Sequence, residues 1–153
     1  MNVTIAAIGK LKRGPELELT QRYQKRLRWP ITILEQAEAP SHLSVEERKS
    51  KEAEFHRQNL KQTTTLICLD EGGKNIDSQA FADLLQRASE TKGPDIKLLI
   101  GGPDGLDKSL LQESDFSLSF GKLTWPHQIV RALLLEQLYR AQTILDGHPY
   151  HRQ

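Results

Sequence analysis

The sequence predicts an α/β protein: one domain over residues 1–153, with a mostly parallel sheet of five or six strands and helices on both faces. Three observations lead there. Short apolar runs rich in Val, Ile and Leu recur along the chain, each ending in glycine or an acidic turn. Between them lie segments whose apolar residues repeat at helical spacing. Strands alternating with helices of this length imply right-handed crossovers and a sheet covered on both sides. At 153 residues the chain is long enough for one core that removes roughly two thirds of the unfolded surface from water.

Taken in order, Val3 to Ile8 is the first apolar run, stopped by Gly9. The loop GKLKRGP follows, and Pro15 suits the first turn of a helix because its missing N–H is unpaired there in any case. Leu17, Leu19, Tyr23 and Leu27 line one face of that helix up to Trp29 and Pro30. Ile31 to Leu34 is the second strand. Ser44 with Glu47 three residues on forms a capping box, opening a polar helix toward Leu60. Thr64 to Leu69 is the third strand, and Asp70 to Lys74 reads as its loop. Ser78 opens a helix carrying Phe81, Leu84, Leu85 and Ala88, stopped by Gly93 and Pro94. Ile96 to Ile100 is the fourth strand; IGGPDGL then leads through a short polar helix to the fifth, Phe116 to Phe120. The last helix runs from Pro126 or His127 to about Leu145.

That last helix is apolar on two sides. Ile129, Val130, Leu133, Leu134, Leu138, Ala141, Ile144 and Leu145 suit a sheet, while Ala132, Leu135 and Tyr139 form a separate stripe. The stripe needs a partner of its own. Either a neighbouring segment of the same chain covers it, or a second copy does so in an isologous dimer, which is the expectation adopted.

Net charge is +1, so the overall balance argues for no class of partner. Its distribution is uneven: Lys10, Lys12, Arg13, Arg22, Lys25, Arg26 and Arg28 stand against Glu16 and Glu18. The plain reading is a solvated helix face and loop; the sharper one is a surface for nucleic-acid phosphates. Cys68, the single cysteine, sits mid-strand, where a thiol behaves as a small hydrophobe. No basic n-region precedes an apolar h-region, and no apolar run nears the roughly 18 residues of a membrane span, which points to the cytoplasm.

Several familiar chemistries lack their residues. Gly9 and Gly14 have P-loop spacing, but Pro15 and Glu16 stand where Lys and Ser/Thr would hold phosphate and magnesium. IGGPDGL lacks the dinucleotide-binding glycine spacing. His148 and His151 have Pro149 between them and no cysteine partner, which disfavours zinc, so no metal is expected. No serine or cysteine occupies a nucleophile position. What remains is a cleft where two strands end, with Gly101 and Gly102 on one side and Gly121 on the other. Such a site positions a ligand whose own bond energy drives the reaction, as a sulfonium methyl donor does.

The motifs IGGPDGL, SFGKLTWPHQIVR, LLLEQLYRA and the ending GHPYHR, together with ICLDEGGK, resemble the RlmH family of SPOUT-class methyltransferases over the whole chain. The resemblance implies a C-terminal trefoil knot, a homodimer, S-adenosylmethionine as donor, and methylation of N3 of a pseudouridine in large-subunit (23S) ribosomal RNA within the assembled ribosome. It places the donor at Leu69, Gly102 and Phe120, Gly121, Lys122, Leu123, Thr124, Trp125 and Pro126; Gly101 joins them from the glycine reading. This chain has Phe120 and Gly121 where the family usually has Leu-Ser, so a side-chain hydroxyl contact is replaced by backbone, and Trp125 is larger than the usual residue.

Two functional classes follow: a methyltransferase, or a ribosome- or nucleotide-binding module using the same cleft without chemistry. The tail separates them, because a module has no need of His148, Tyr150, His151 and Arg152 at a chain end. N3 of a uracil ring is protonated at neutral pH and needs help to become a nucleophile. His127, His148 or His151 is the expected proton acceptor. Arg152 or Arg131 would stabilise charge on the ring oxygens, and Tyr150 would stack on or hydrogen-bond the base. RNA phosphates are assigned to Lys10, Lys12, Arg13, Arg22, Lys25 and Arg26.

Overall fold

A computed structural model describes residues 1–151. The element order is β1 (Asn2–Ile8), α1 (Pro15–Arg26), β2 (Ile31–Gln36), α2 (Val45–Arg57), β3 (Thr65–Asn75), α3 (Ser78–Thr91), β4 (Asp95–Ile100), α4 (Lys108–Glu113), β5 (Phe116–Ser119) and α5 (His127–Leu145). All five strands are parallel, in the order β2-β1-β4-β3-β5.

Local signals hold at most helix ends. Ser44 and Glu47 form the reciprocal capping box, and Pro15 opens α1. The cap of α3 is Asp77, one residue earlier than the serine reading, with its carboxylate accepting from the Ala80 N–H.

The strand pattern explains the two layers. In β1, Val3, Ile5 and Ala7 face one core while Ala6 and Ile8 face the other. In β4, Ile96, Leu98 and Ile100 face the first core and Leu99 the second. Buried on both faces, these strands read as continuous apolar runs. The first core takes Tyr23 of α1 and Leu27 just after it, Phe81 and Leu85 of α3, and Leu134, Leu135 and Leu138 of α5. The second takes Ala53 and Phe55 of α2 and Leu110 of α4.

Two sequence expectations change. Asp70 to Lys74 is no simple loop: β3 continues to Asn75 through a shift in register against β5. Gly73 permits it, since a Cβ there would lie 2.7 Å from the Ser117 backbone. The stripe on α5 is covered from within, as the first of the two alternatives had it. Ala132 and Leu135 are buried, and Tyr139 tilts against Tyr23 of α1 with ring centroids 6.4 Å apart. The stripe therefore supports no dimer contact, and Leu135→Glu would place a charge in the core rather than split a dimer.

His56 is the least conventional core residue. It is 1% exposed on α2, and neither ring nitrogen has a partner. Burial first, then the charges of Lys97 and Arg57, lower its pKa to about 4. The unfolded chain takes up a proton near pH 6.5 that the native protein refuses, so stability present above that pH is lost as pH falls toward 4. Between pH 6.5 and 4.5 this amounts to about 2 kcal/mol. Urea unfolding of His56→Leu should show a smaller loss over that window than wild type by about this amount. Equal losses would show that His56 is not the group responsible.

Candidate functional site

The helix following β4 packs on one face of the sheet, and the helix following β3 on the other. Adjacent strands whose connections diverge in this way leave a crevice at their carboxyl ends. A cleft of about 760 Å³ lies there. Its floor includes Leu69, Ile100, Leu118 and Phe120, and its walls are the 101–106 loop and the segment from Phe120 to His127.

Of the residues expected at a donor site, Leu69, Gly101, Gly102, Phe120, Gly121, Leu123, Thr124, Trp125 and Pro126 line this cleft. Lys122 is exposed beside it and is not among the lining residues. At Gly101 and Gly102 the space a side chain would need is taken by protein. A Cβ on Gly101 would lie 2.7 Å from the Gly105 carbonyl carbon, and one on Gly102 would lie 2.9 Å from Ile8 Cγ2. Both missing side chains point into protein, which leaves peptide backbone as the cleft wall.

Side chains not foreseen hold these loops. Arg48 of α2 makes a two-pronged ion pair with Asp104, at 2.7 and 3.0 Å, and so ties the glycine loop to α2. Glu52 is buried behind Gly102; its carboxylate accepts from the Ala39 N–H, and burial raises its pKa. On the other wall, Thr124 donates to Glu71 at 3.1 Å, and the Ser119 hydroxyl accepts from the Gly121 N–H at the same distance. Only the Ser-x-Gly spacing was a local signal of this last bond; the others join residues more than 50 apart or lie on a helix that looked merely polar. Asp70, Glu71 and Asp104 give the cleft an acidic rim, with Lys49 and Lys108 near the glycine loop.

His127 also lines the cleft. Its ring lies against Gly9, and its Nε2 stands 3.8 Å from Glu38 Oε1. The described part of the tail, His148 to His151, is not among the residues lining the same chain's cleft. Tyr150 packs edge-on against Tyr139, centroids 4.8 Å apart, between Arg26 and Arg140, and its hydroxyl is 3.4 Å from Glu136. His148 accepts from the Tyr150 N–H, and the Nδ1 of His151 is buried without a partner. Nine residues of helix separate Glu136 from His127, about 14 Å along the axis. Arg152 lies outside the described residues.

Arg131 does not face the cleft either. It is 0% exposed, and its guanidinium bonds Glu35 and the Gly9 carbonyl, so it is not available to ring oxygens. Lys10, Lys12, Arg13, Arg22, Lys25 and Arg26 are all exposed. Lys10, Lys12 and Arg13 sit on the loop that leaves β1 at Gly9, against which the His127 ring rests, and are not among the cleft's lining residues, whereas Arg26 is stacked on Tyr139 at 4.4 Å. Cys68 is buried, and burial pushes its thiol up to about 11, leaving it no role as a nucleophile.

Fold and cleft together define an α/β protein with an open crevice where β3, β4 and β5 end, and a family profile described as "Predicted SPOUT methyltransferase" matches residues 1–151. The chain belongs to that SPOUT methyltransferase family. More particularly, it is 48% identical over 99% of both chains to the ribosomal RNA large subunit methyltransferase H of Rhizobium etli (strain CIAT 652). It is 44% identical, again over 99% of both chains, to the protein of the same name from Agrobacterium fabrum. Among solved structures, a "probable methylase family protein" from Haemophilus influenzae Rd KW20 superposes with a TM-score of 0.56 at 11% identity, covering 99% of this chain and 71% of that one. A Legionella pneumophila protein solved with the cofactor SAM bound gives 0.51 at 15% identity, covering 92% and 66%. Likeness at such identity speaks for the fold. Among the described residues, no helix is long and apolar enough to cross a membrane.

Proposed function

We propose that this chain is an S-adenosylmethionine-dependent methyltransferase of large-subunit ribosomal RNA, acting on N3 of a pseudouridine in the assembled ribosome. The observation that supports the ribosomal RNA methyltransferase reading is the full-length identity to relatives named ribosomal RNA large subunit methyltransferase H, and the cleft's lining is consistent with a bound donor. The residues suit the donor. An apolar floor of Leu69, Ile100, Leu118 and Phe120 fits a flat adenine, and backbone at Gly101 and Gly102 can hydrogen-bond its edge. Asp70 and Glu71 complement a sulfonium and an ammonium group, whereas Asp104 is already paired with Arg48. Bound there, S-adenosylmethionine supplies an electrophilic methyl group.

In this reading His127, which lines the cleft, accepts the N3 proton, and the Lys10 to Arg13 loop next to it holds RNA phosphates. The tail residues His148, Tyr150, His151 and Arg152 orient the base in this reading. Since the described part of the tail packs away from its own cleft, the reading includes a homodimer in which one copy's tail serves the other's cleft. Leu123, Trp125 and Ile129, which are 74%, 43% and 37% exposed, form an apolar rim between cleft and α5 that suits such a contact. Sedimentation of wild type and Ile129→Glu at micromolar concentration tests the dimer: dimers for the first and monomers for the second support it, and a monomeric wild type rejects it.

Radiolabelled methyl transfer from S-adenosylmethionine to intact ribosomes, with the product nucleoside identified by mass spectrometry, tests the activity. Donor binding without any transfer would favour the non-catalytic module.

The phosphate contacts carry their own expectation. Lys12→Ala with Arg13→Ala should weaken ribosome binding and lower the slope of log affinity against log salt by about one to two, leaving donor affinity unchanged. An affinity and slope matching wild type between 50 and 200 mM salt would reject this loop as the RNA contact.

A further inference from the structure

Arg131 is a fully buried cation that the proposed reaction does not use directly. It leaves α5 one turn after His127 and points beneath the cleft toward the ends of β1 and β2. One guanidinium nitrogen bonds the Glu35 carboxylate, and the other donates to the Gly9 carbonyl at 2.9 Å. The same Glu35 oxygen accepts the Leu11 N–H at 3.1 Å. The first residues of the basic loop are thus tied at Gly9 and Leu11 to one ion pair, with Lys10 between them and Lys12 next.

The geometry extends to the cleft. Gly9 has φ +88°, and a Cβ on it would lie 2.8 Å from His127 Nε2, so the imidazole rests where a side chain would otherwise be. The Gly9 backbone sets where that ring sits, and Arg131 holds the Gly9 backbone. A buried arginine is costly unless its donors are satisfied. Two of its nitrogens are engaged here, on Glu35 and on the carbonyl of Gly9, against which His127 rests, while its Nε is buried without a partner among the described residues.

We infer that Arg131 and Glu35 are positioning residues, which lock the Gly9 to Gly14 loop in register with α5 so that Lys12, Arg13 and His127 meet the RNA as one unit. The inference deepens the reading of this chain as a ribosomal RNA methyltransferase and rests on it for the activity readouts alone.

The test compares wild type, Arg131→Lys and Glu35→Gln. The lysine keeps the buried charge but cannot reach both partners, and the glutamine keeps the shape without the charge. Brief native trypsin digestion offers a readout independent of activity, because Lys10, Lys12 and Arg13 are themselves cleavage sites. Loop cleavage should accelerate at least about tenfold in either folded variant, while cleavage within the helices stays at the wild-type rate. On ribosomes, KM should rise about tenfold with donor affinity unchanged. In the Arg131→Lys background, adding Lys12→Ala and Arg13→Ala should cost far less than it costs wild type, since a displaced loop has already lost those contacts.

Unchanged loop cleavage in both variants would overturn the inference, as would fully additive effects on KM. If Arg131→Lys fails to fold, Glu35→Gln alone decides by the same readouts. Should wild type show no transfer to ribosomes, the enzymatic reading falls, and trypsin cleavage still decides whether the clamp exists.

Discussion

Deleting Tyr150 to Gln153 is expected to lower turnover on ribosomes by at least about a hundredfold while leaving donor binding intact. The lower bound follows from what orientation is worth, since a small misplacement of a reacting group can cost about 10²-fold in rate. The donor should be unaffected, because the cleft's walls come from the ends of β3, β4 and β5, and neither His148 nor Tyr150 touches them. Stability should change little: Tyr150 is half-buried against Tyr139, outside the two buried cores. Calorimetric titration with S-adenosylmethionine and single-turnover methylation together check the expectation. A truncated protein that methylates at the wild-type rate would make the tail a packing element. Mixing the truncated chain with a His127→Ala chain adds a second reading. If a tail serves its partner's cleft, mixed dimers regain one complete site and activity returns; a tail that serves its own cleft gives no such rescue.

Gly101→Ala should weaken donor binding about 5- to 150-fold in a protein that still folds. Its new Cβ would meet the Gly105 carbonyl carbon at 2.7 Å, the Leu106 nitrogen at 2.9 Å and the Gly105 oxygen at 3.0 Å. All three are backbone atoms, so no rotamer change relieves the contact and the loop itself must move. Overpacking of this kind costs ~1–3 kcal/mol, which corresponds to the stated range of affinity. The sheet does not depend on that loop, and the circular dichroism spectrum should match wild type. Unaltered affinity in the folded variant would place the donor elsewhere. Glu52→Gln makes a useful companion, because it alters the group behind Gly102 without adding volume to the loop.

Much of the fold was legible because it is encoded locally. Every helix but the short α4 announced itself by a cap, a proline or an apolar stripe, and β1 and β4 by runs whose both faces are buried. Part of the cleft was legible for the same reason: Gly101, Gly102 and Gly121 follow β4 and β5, and parallel strands send such segments to one rim, whereas Leu69, inside β3, and the rest of the 120–126 segment were assigned by the family resemblance. The end of β3 was misjudged because Asp70 to Lys74 carries turn chemistry. Only the neighbouring β5 backbone, approached closely at Gly73, keeps that segment in the sheet.

By itself, then, the sequence determined the alternation of strands and helices, the glycine-walled cleft and the family to which the chain belongs. Tertiary structure decided whether a given charge or ring faces the cleft, the core or solvent. Arg131 reads as a catalytic cation one turn from His127, yet it is buried because Gly9 and Glu35, 122 and 96 residues away, supply its partners. The α5 stripe reads as an interface, yet Leu135 is covered because α1 crosses it. Tyr150 reads as part of the site, yet it stacks with Tyr139 and Arg26 about two and a half turns from the cleft. Periodicity reports which side of an element is apolar; which element meets that side depends on a strand order, β2-β1-β4-β3-β5, that no local pattern encodes.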